Sequence, residues 1–326
     1  MRTKILKLLR DTKEYVSGQE LCEKFGVSRT AVWKAVGQLK KEGYGIEAVQ
    51  NKGYRLVSVP DVLSREEIIS CMKTKRMGRN VVYLERTGST NQDAKRLAEE
   101  GAQDGTLVVT DCQETGKGRR GRGWVSPPGI NIYFTLLLRP QFQPDKASML
   151  TLVMALSVAQ AIERRTGYIP GIKWPNDIVM DGKKVCGILT EMTLEEEYIQ
   201  SVVIGVGINV GQTDFPEEIK DKATSLALKC GTGTARSSLI AGIMERFEKN
   251  YALFEKNLDL SDLKDTYETY LVNKNREVRI LDPAGEFEGR AEGINEKGEL
   301  LIELPDGSVR RVYAGEVSVR GLYGYV

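Results

Sequence analysis

Histidine is absent from all 326 residues, and that single absence removes the imidazole base, the Ser-His-Asp triad and the His-ligated metal together. Cysteine is scarce: Cys22, Cys71, Cys112, Cys186 and Cys230 stand singly, with no C-x-x-C pair, which argues against a disulfide framework and a zinc site. The longest apolar stretch, 149–162, falls short of the ~20 residues that cross a bilayer. It also carries Thr151, Ser157 and Gln160, so a buried helix is expected and no membrane partner. The basic start Met1-Arg2-Thr3-Lys4 leads into no apolar signal block, and the expected location is the cytoplasm. Tandem repeats, low-complexity tracts and Pro-rich linkers are missing too. With 41% hydrophobic and 28% charged residues, the composition is globular, enough for about two domains, or two and a small appendage.

Charge is present but uneven. Net charge is +2, yet residues 1–57 hold 12 Lys/Arg against 6 Asp/Glu, leaving 35 against 39 for the remainder. Within that basic end, Ile5, Leu6 and Leu9 recur at helical spacing, and Ser17-Gly18-Gln19-Glu20 has the form of a capping box opening a short helix toward Phe25. After a break at Gly26, Ser28 is placed to cap a third helix whose Val32, Ala35, Val36 and Leu39 make one apolar face, ending by Gly43. This is helix-turn-helix spacing. In that motif the first turn of the second helix enters the major groove, which suits Ser28, Arg29, Thr30 and Lys34 to base edges and phosphates. Alternation at Tyr44, Ile46, Ala48 and at Tyr54, Leu56 across Asn51-Lys52-Gly53 predicts a hairpin wing, with Lys52 and Arg55 available to phosphates. A three-helix interaction module with a solvated cationic face has the same pattern; the segregated charge favours operator DNA as partner. Trp33 is either a wedge at DNA or a partly buried core ring, and the second is the expectation.

Pro60 marks a connector at 57–61, and Ser64 with Glu67 offers another capping box. A strand at 81–84 leads to Gly88-Ser89-Thr90-Asn91-Gln92, where the Ser/Thr/Asn cluster reads as the cap of a helix over 93–100. Orphan amides there could hold a polar ligand, but capping alone accounts for the residues. A strand at 107–112 runs into Gln113-Glu114-Thr115-Gly116-Lys117-Gly118-Arg119-Arg120-Gly121-Arg122-Gly123-Trp124, where glycines alternate with cations. Glycines let backbone amides approach a ligand, and Lys and Arg bring charge to phosphate oxygens. The order is not that of a P-loop. An RG-type nucleic-acid patch and a solvated turn are the other readings; the flanking strands, the second at 131–138, set it apart from a disordered repeat. A long helix at 145–166 precedes Lys173-Trp174-Pro175-Asn176-Asp177, a hairpin turning at Asp181-Gly182 with Lys184 opening its second strand, and a strand ending in Gly205-Val206-Gly207-Ile208-Asn209.

Taken in order, Gly88 to Asn91, the 116–124 loop, Lys173 to Asp177, Lys184 with Gly187-Ile188-Leu189, and Gly205 to Asn209 resemble the biotin protein ligases, and the basic N-terminal module is similar to the class that also represses the biotin operon. The motif match covers about residues 80–230. Lys117 departs from the arginine of many relatives, keeping the charge but losing the bidentate fork. The resemblance implies that biotin and ATP with Mg²⁺ yield biotinyl-5'-AMP, that biotin passes to one lysine of a biotin carboxyl carrier domain, and that the adenylate-bound form is a homodimeric repressor. A biotin-sensing regulator without turnover is the alternative. It further implies that Ser89, Thr90, Asn91, Gln113, Lys117, Gly118, Arg119 and Lys184 bind biotin, Arg119 and Lys184 being catalytic. Arg122, Trp124, Lys173, Asn176 and Asn209 would bind nucleotide, and Asp177 would stand just outside the magnesium ligands. Trp174 and Trp124 could equally be packing residues, and Asp177 a cap.

Beyond 230, helical periodicity over 237–254 and 262–271 gives way to short strands over 277–319, divided at 282–285, 295–298 and 305–307. A small β-barrel is expected, SH3-like by the same resemblance and without recognisable chemistry. The fold class is therefore α+β: a winged helix-turn-helix at 1–60, a mixed-sheet α/β ligase domain at 64–272, class II synthetase-like by resemblance, and the barrel at 273–326.

Overall fold

The computed structural model describes residues 1–12, 14–231, 233–282, 285–314, 318–321 and 325. Three helices open the chain: α1 (Arg2–Asp11), α2 (Gly18–Phe25) and α3 (Arg29–Lys41). The caps fall where the sequence puts them, with Ser17 Oγ accepting from the Glu20 amide, Ser28 Oγ from the Ala31 amide, and Gly26 left-handed at φ 64°. Strands β1 (Gly45–Val49) and β2 (Gly53–Ser58) form the antiparallel wing across a turn with Asn51 at φ 63°. Ile5, Leu6, Leu9, Leu21, Val32, Val36 and Leu39 make a core of their own. Trp33 is not part of it. The ring is 67% exposed, because it lies a full helical step off the stripe of Val32, Ala35, Val36 and Leu39.

Helix α4 (Arg65–Cys71) seats this unit on the rest of the molecule. Ser64 caps it, but the Glu67 side chain does not close the box. Its carboxylate, 2% exposed, accepts instead from Arg10 Nη2 at 2.5 Å and Tyr44 Oη at 2.6 Å.

The central sheet runs β3 (Val81–Thr87), with α5 (Thr90–Glu99) following it, then β4 (Leu107–Gln113), β5 (Ile132–Leu138), helix α6 (Met149–Thr166), β6 (Gly171–Lys173), β7 (Asp177–Met180), β8 (Lys183–Glu195) and β9 (Tyr198–Ile208). Its order is β3-β4-β5-β9-β8-β7-β6, parallel between β3 and β4 and antiparallel elsewhere. With its leading 3₁₀ turn, α6 makes a 23-residue apolar helix at Pro144–Thr166, long enough to span a bilayer, but 72% of its apolar window is buried inside the fold. It is the core helix that packs the sheet against α8 (Arg236–Asn257), which follows the short α7 (Leu226–Cys230).

After α9 (Lys264–Tyr270), strands β10 (Arg276–Leu281), β11 (Phe287–Ile294), β12 (Leu300–Glu303), β13 (Val309–Val312) and β14 (Ser318–Gly321) form an antiparallel sheet ordered β13-β12-β11-β10-β14. The expected barrel takes this form; among the described residues no pairing joins β13 to β14, and Pro283 and Ala284 of the expected turn lie outside them. Its core is continuous with that of the central sheet: one apolar cluster runs from Leu63 to Val319. Trp174, 1% exposed, joins the two by donating from Nε1 to the Gly298 carbonyl at 3.0 Å, the packing reading of that residue.

Candidate active site

The floor of the site is bare backbone. Gly187 of β8 pairs with Gly207 of β9, and Leu189 with Gly205. A Cβ at Gly205 would stand 2.2 Å from Asn91 Oδ1, and one at Gly207 2.5 Å from Trp124 Nε1. Glycine is required there so that Asn91 and the Trp124 ring can lie flat on the sheet.

Above the floor, α5 begins at Thr90, three residues earlier than its sequence pattern suggests, and its N-cap Ser89 makes no side-chain cap bond. Thr90 and Asn91 are thus helical and turn their polar groups inward. Gln113 Oε1 accepts from the Thr90 amide at 3.0 Å and from Thr90 Oγ1 at 3.2 Å, while Gln113 Nε2 donates to Ser126 Oγ at 3.1 Å. Buried Thr135 lies 2.8 Å from Thr90 Oγ1 and 2.6 Å from Asn91 Oδ1. Asn91 Nδ2 donates to Glu191 at 2.7 Å. Burial pushes the Glu191 carboxyl up, but donors Lys95 and Asn91 outweigh it and hold it below the usual range. The result is a fixed ladder of donors and acceptors. Thr135, Glu191 and Ser126 were missed from the sequence; a threonine inside the apolar run of β5 was the available signal.

The strap, residues 116–123, folds over this ladder. Gly118 donates to the Arg122 carbonyl at 2.7 Å and Trp124 to the Gly116 carbonyl at 2.9 Å. Arg119 Nη1 donates to Asn176 Oδ1 at 2.8 Å, and Arg120, left-handed at φ 56°, reaches the Leu281 carbonyl. Burial depresses the Arg119 guanidinium below its ordinary value. Asn176 in turn is held by the Ile188 carbonyl at 3.1 Å.

Two neighbouring spaces result. A slot of about 50 Å³ is lined by all eight residues assigned to biotin, Ser89, Thr90, Asn91, Gln113, Lys117, Gly118, Arg119 and Lys184. Beside it lies a cavity of about 630 Å³ lined by Arg122, Trp124, Asn176, Asp177 and Asn209 among others; Lys173, also assigned to the nucleotide, is in neither lining. Gly118, Arg119, Trp124, Asn176 and Lys184 line both.

At the junction Lys184 Nζ lies 2.5 Å from Asp177 Oδ1, and Tyr325 donates from Oη to Asp177 Oδ2 at 2.5 Å. Lys173 is 5% exposed, with its Nζ 3.4 Å from the Tyr325 ring centre; burial lowers its ammonium from the ordinary lysine value to about 7. Arg320 of β14 lines the same cavity. Arg320 of the C-terminal sheet and Tyr325 beyond it reach into the site. Trp124 Nε1, lying over Gly207, is buried without a partner among the described residues. Asn209 spends its amide on the Thr224 carbonyl. The donor set fits a cation carried in on phosphates: both Asp177 oxygens are engaged, and no cluster of three His, Cys, Asp or Glu occurs among the described residues.

The residues assigned to DNA lie on the first unit. Arg29, Thr30 and Lys34 are exposed on α3, Arg29 steadied by Gln19 at 3.1 Å; the Ser28 hydroxyl is committed to its cap, and Lys52 is exposed at the wing tip. Arg55 is engaged, pairing with Glu47 at 2.8 Å and stacking on Tyr15 at 4.8 Å.

Residues 83–209 match the model of the Biotin/lipoate A/B protein ligase family, 2–55 an HTH domain, and 275–320 the Biotin protein ligase C terminal domain. The Bifunctional ligase/repressor BirA of Bacillus subtilis is 42% identical over 308 residues, 94% of each chain; that of Escherichia coli is 30% identical over 318 residues, 97% of this chain and 96% of the other. The solved biotin protein ligase from Aquifex aeolicus in complex with biotin and ATP superposes with a TM-score of 0.66 at 34% identity, covering 74% of this chain and 99% of that one.

Proposed function

Since the chain belongs to the biotin protein ligases of the bifunctional ligase/repressor kind, we propose a reaction path through its two neighbouring spaces. Biotin lies in the slot, its ureido group on the Thr90, Asn91 and Gln113 ladder and its carboxylate toward Lys184 and Arg119. ATP lies in the wider cavity against Arg122 and Arg320, with the buried Lys173 ammonium behind the Tyr325 ring adding positive charge. A biotin carboxylate oxygen attacks the α-phosphorus, the bond to the β-phosphate oxygen breaks, and pyrophosphate leaves, giving biotinyl-5'-AMP. A neutral lysine amine of a biotin carboxyl carrier domain then attacks the acyl carbon, AMP departs, and the amine proton goes to solvent. Cations draw the negative groups together without an imidazole. Magnesium brought in with ATP would sit near Asp177 and would supply further charge neutralisation. The strap keeps water from the mixed anhydride.

One observation carries this reading: Arg119 and Lys184 line both spaces, so a carboxylate from one and a phosphate from the other meet the same two cations. Incubation with biotin, ATP, Mg²⁺ and a purified carrier domain should label one lysine, with biotin-dependent pyrophosphate exchange. A biotin sensor without turnover would show neither, and that result would overturn the ligase assignment.

The same reading makes the adenylate the signal. Bound biotinyl-AMP fixes the strap and favours a cytoplasmic homodimer whose paired helix-turn-helix units bind operator DNA through Arg29, Thr30, Lys34 and Lys52. The functional units are 1–60, 64–272 and 273–326. Sedimentation with and without the adenylate is the test; an unchanged monomer would refute the dimer step.

A further inference from the structure

Trp33 is the most exposed of the large apolar side chains on the first unit, at 67%, and it stands on the exposed side of α3, between the buried stripe and the middle of the solvent face. At ~100° per residue, Arg29 and Lys40 flank it on one side and Thr30, Lys34 and Lys41 on the other. All five are exposed. Four residues on, ~40° further round the helix, stands Gly37. A Cβ there would have nothing within 4 Å, so no packing inside the chain explains a glycine in mid-helix, where it weakens the helix by roughly 1 kcal/mol relative to alanine. An exposed ring and a missing side chain on one cationic face are explained together by a polyanion that approaches the helix closely.

The geometry points to Trp33 as a specificity-determining residue for DNA, its indole face packed on a thymine methyl in the major groove, with Gly37 leaving room for the groove wall. This rests on the DNA-binding reading above and adds to it an apolar, methyl-reading contact. Polar and cationic side chains on the same helix read acceptors and phosphates; only an apolar group rewards the thymine methyl, and the major groove is where that methyl is displayed.

The test uses the full chain with biotin, ATP and Mg²⁺, and a duplex selected by the wild-type protein from a random-sequence pool. Each thymine of the selected duplex is replaced by uracil in turn. At one or more positions in each half-site, loss of the methyl should weaken wild-type binding about fivefold or more, and Trp33→Ala should weaken binding to the thymine duplex about tenfold or more. Trp33→Ala should then be indifferent to the uracil replacement, since both changes remove one contact. Gly37→Gln should raise helix stability yet abolish selective binding. Unchanged labelling of the carrier domain by both variants shows that they fold. Additive effects of Trp33→Ala and uracil, or full binding by Gly37→Gln, would overturn the inference while leaving DNA binding intact. A wild-type protein that selects no duplex would overturn the DNA reading itself. If Trp33→Ala changed sedimentation and not base preference, the face would be a contact between copies, and the inference would again fail.

Discussion

Arg236 and Lys173 are both cations shut away from water, 2% and 5% exposed, yet their surroundings differ in kind. Arg236, at the start of α8, is completed by the protein: Nε donates to Asp61 at 3.0 Å, Nη1 to Asp111 at 2.7 Å and to the Asn131 carbonyl, and Nη2 to the Asp61 carbonyl. Lys173 has no ion pair among the described residues; a tyrosine ring covers its ammonium, and Arg320, Lys184 and Arg122 press on it with like charge against Asp177 alone. A buried charge that the chain satisfies itself is architecture, tying the linker at Asp61 to the end of β4. One left incomplete destabilises the fold and persists where a ligand completes it.

The sharpest way to break this contrast is through Arg119, the cation shared by both spaces. Arg119→Met should lower kcat/KM for biotin-dependent pyrophosphate exchange by about 10²–10³-fold, with the urea midpoint nearly unmoved. A large loss of stability with modest loss of exchange would place Arg119 with Arg236 instead.

Lys173→Met comes next, with opposite signs for stability and activity. The folded lysine titrates near 7 against its ordinary 10.5, so between those values the unfolded chain holds the extra proton and wild-type stability climbs as pH rises. Below pH 7 both states are charged and the full burial penalty is present. Lys173→Met should therefore be more stable than wild type at pH 6 by roughly 2–4 kcal/mol, the gap closing toward pH 10, while its KM for ATP rises. Phosphates drawing the lysine back to its charged form should also make ATP binding take up a proton near pH 8, measurable by calorimetry in buffers of different ionisation heat. Equal stability of the two proteins across that range would show that Lys173 is already satisfied.

Arg236→Ala is the converse. It strands Asp111 and frees the linker, and should cost roughly 2–3 kcal/mol in urea unfolding, less than a fully buried pair because the Asp61 side chain is half exposed. Biotin binding by the folded fraction should be unchanged.

Legibility in the sequence follows the range of the interaction that fixes each residue. The caps at Ser17, Ser28 and Ser64, the Asp181-Gly182 turn and the apolar stripe of α3 are set within a few residues, and they stand where pattern places them. Glycines 187, 205 and 207 were visible as motif letters, but their reason, a ring and an amide lying on the sheet, needs β8, β9 and the strap together. Thr90 and Asn91 read as caps because a hydroxyl or amide before a helix ordinarily is one; the helix swallows them, and Thr135 and Gln113 redirect them. Trp33 was assigned to the core on apolarity, a rule that holds poorly for single surface rings. Strand β6, three residues long, carries too little alternation to be seen.

Tyr325 had no local signal at all, since its partner Asp177 is 148 residues away, and it supports the smallest prediction. Its hydroxyl satisfies one oxygen of Asp177 and its ring shields Lys173, so it completes part of the incomplete cluster from beyond the last strand. Tyr325→Phe keeps the ring over the ammonium and removes one hydrogen bond, worth about 1 kcal/mol net. That should raise KM for ATP a few-fold and leave kcat for exchange and the affinity for biotin alone unchanged. Tyr325→Ala, removing the ring as well, should shift the KM further and raise exposure of Lys173 to amine-directed acylation at pH 8, an acylation that ATP suppresses. If the two variants behave alike, the ring contributes nothing and the hydrogen bond is the whole of its role; if Tyr325→Phe lowers KM, the tyrosine competes with the nucleotide for Asp177 and belongs with the barriers to binding.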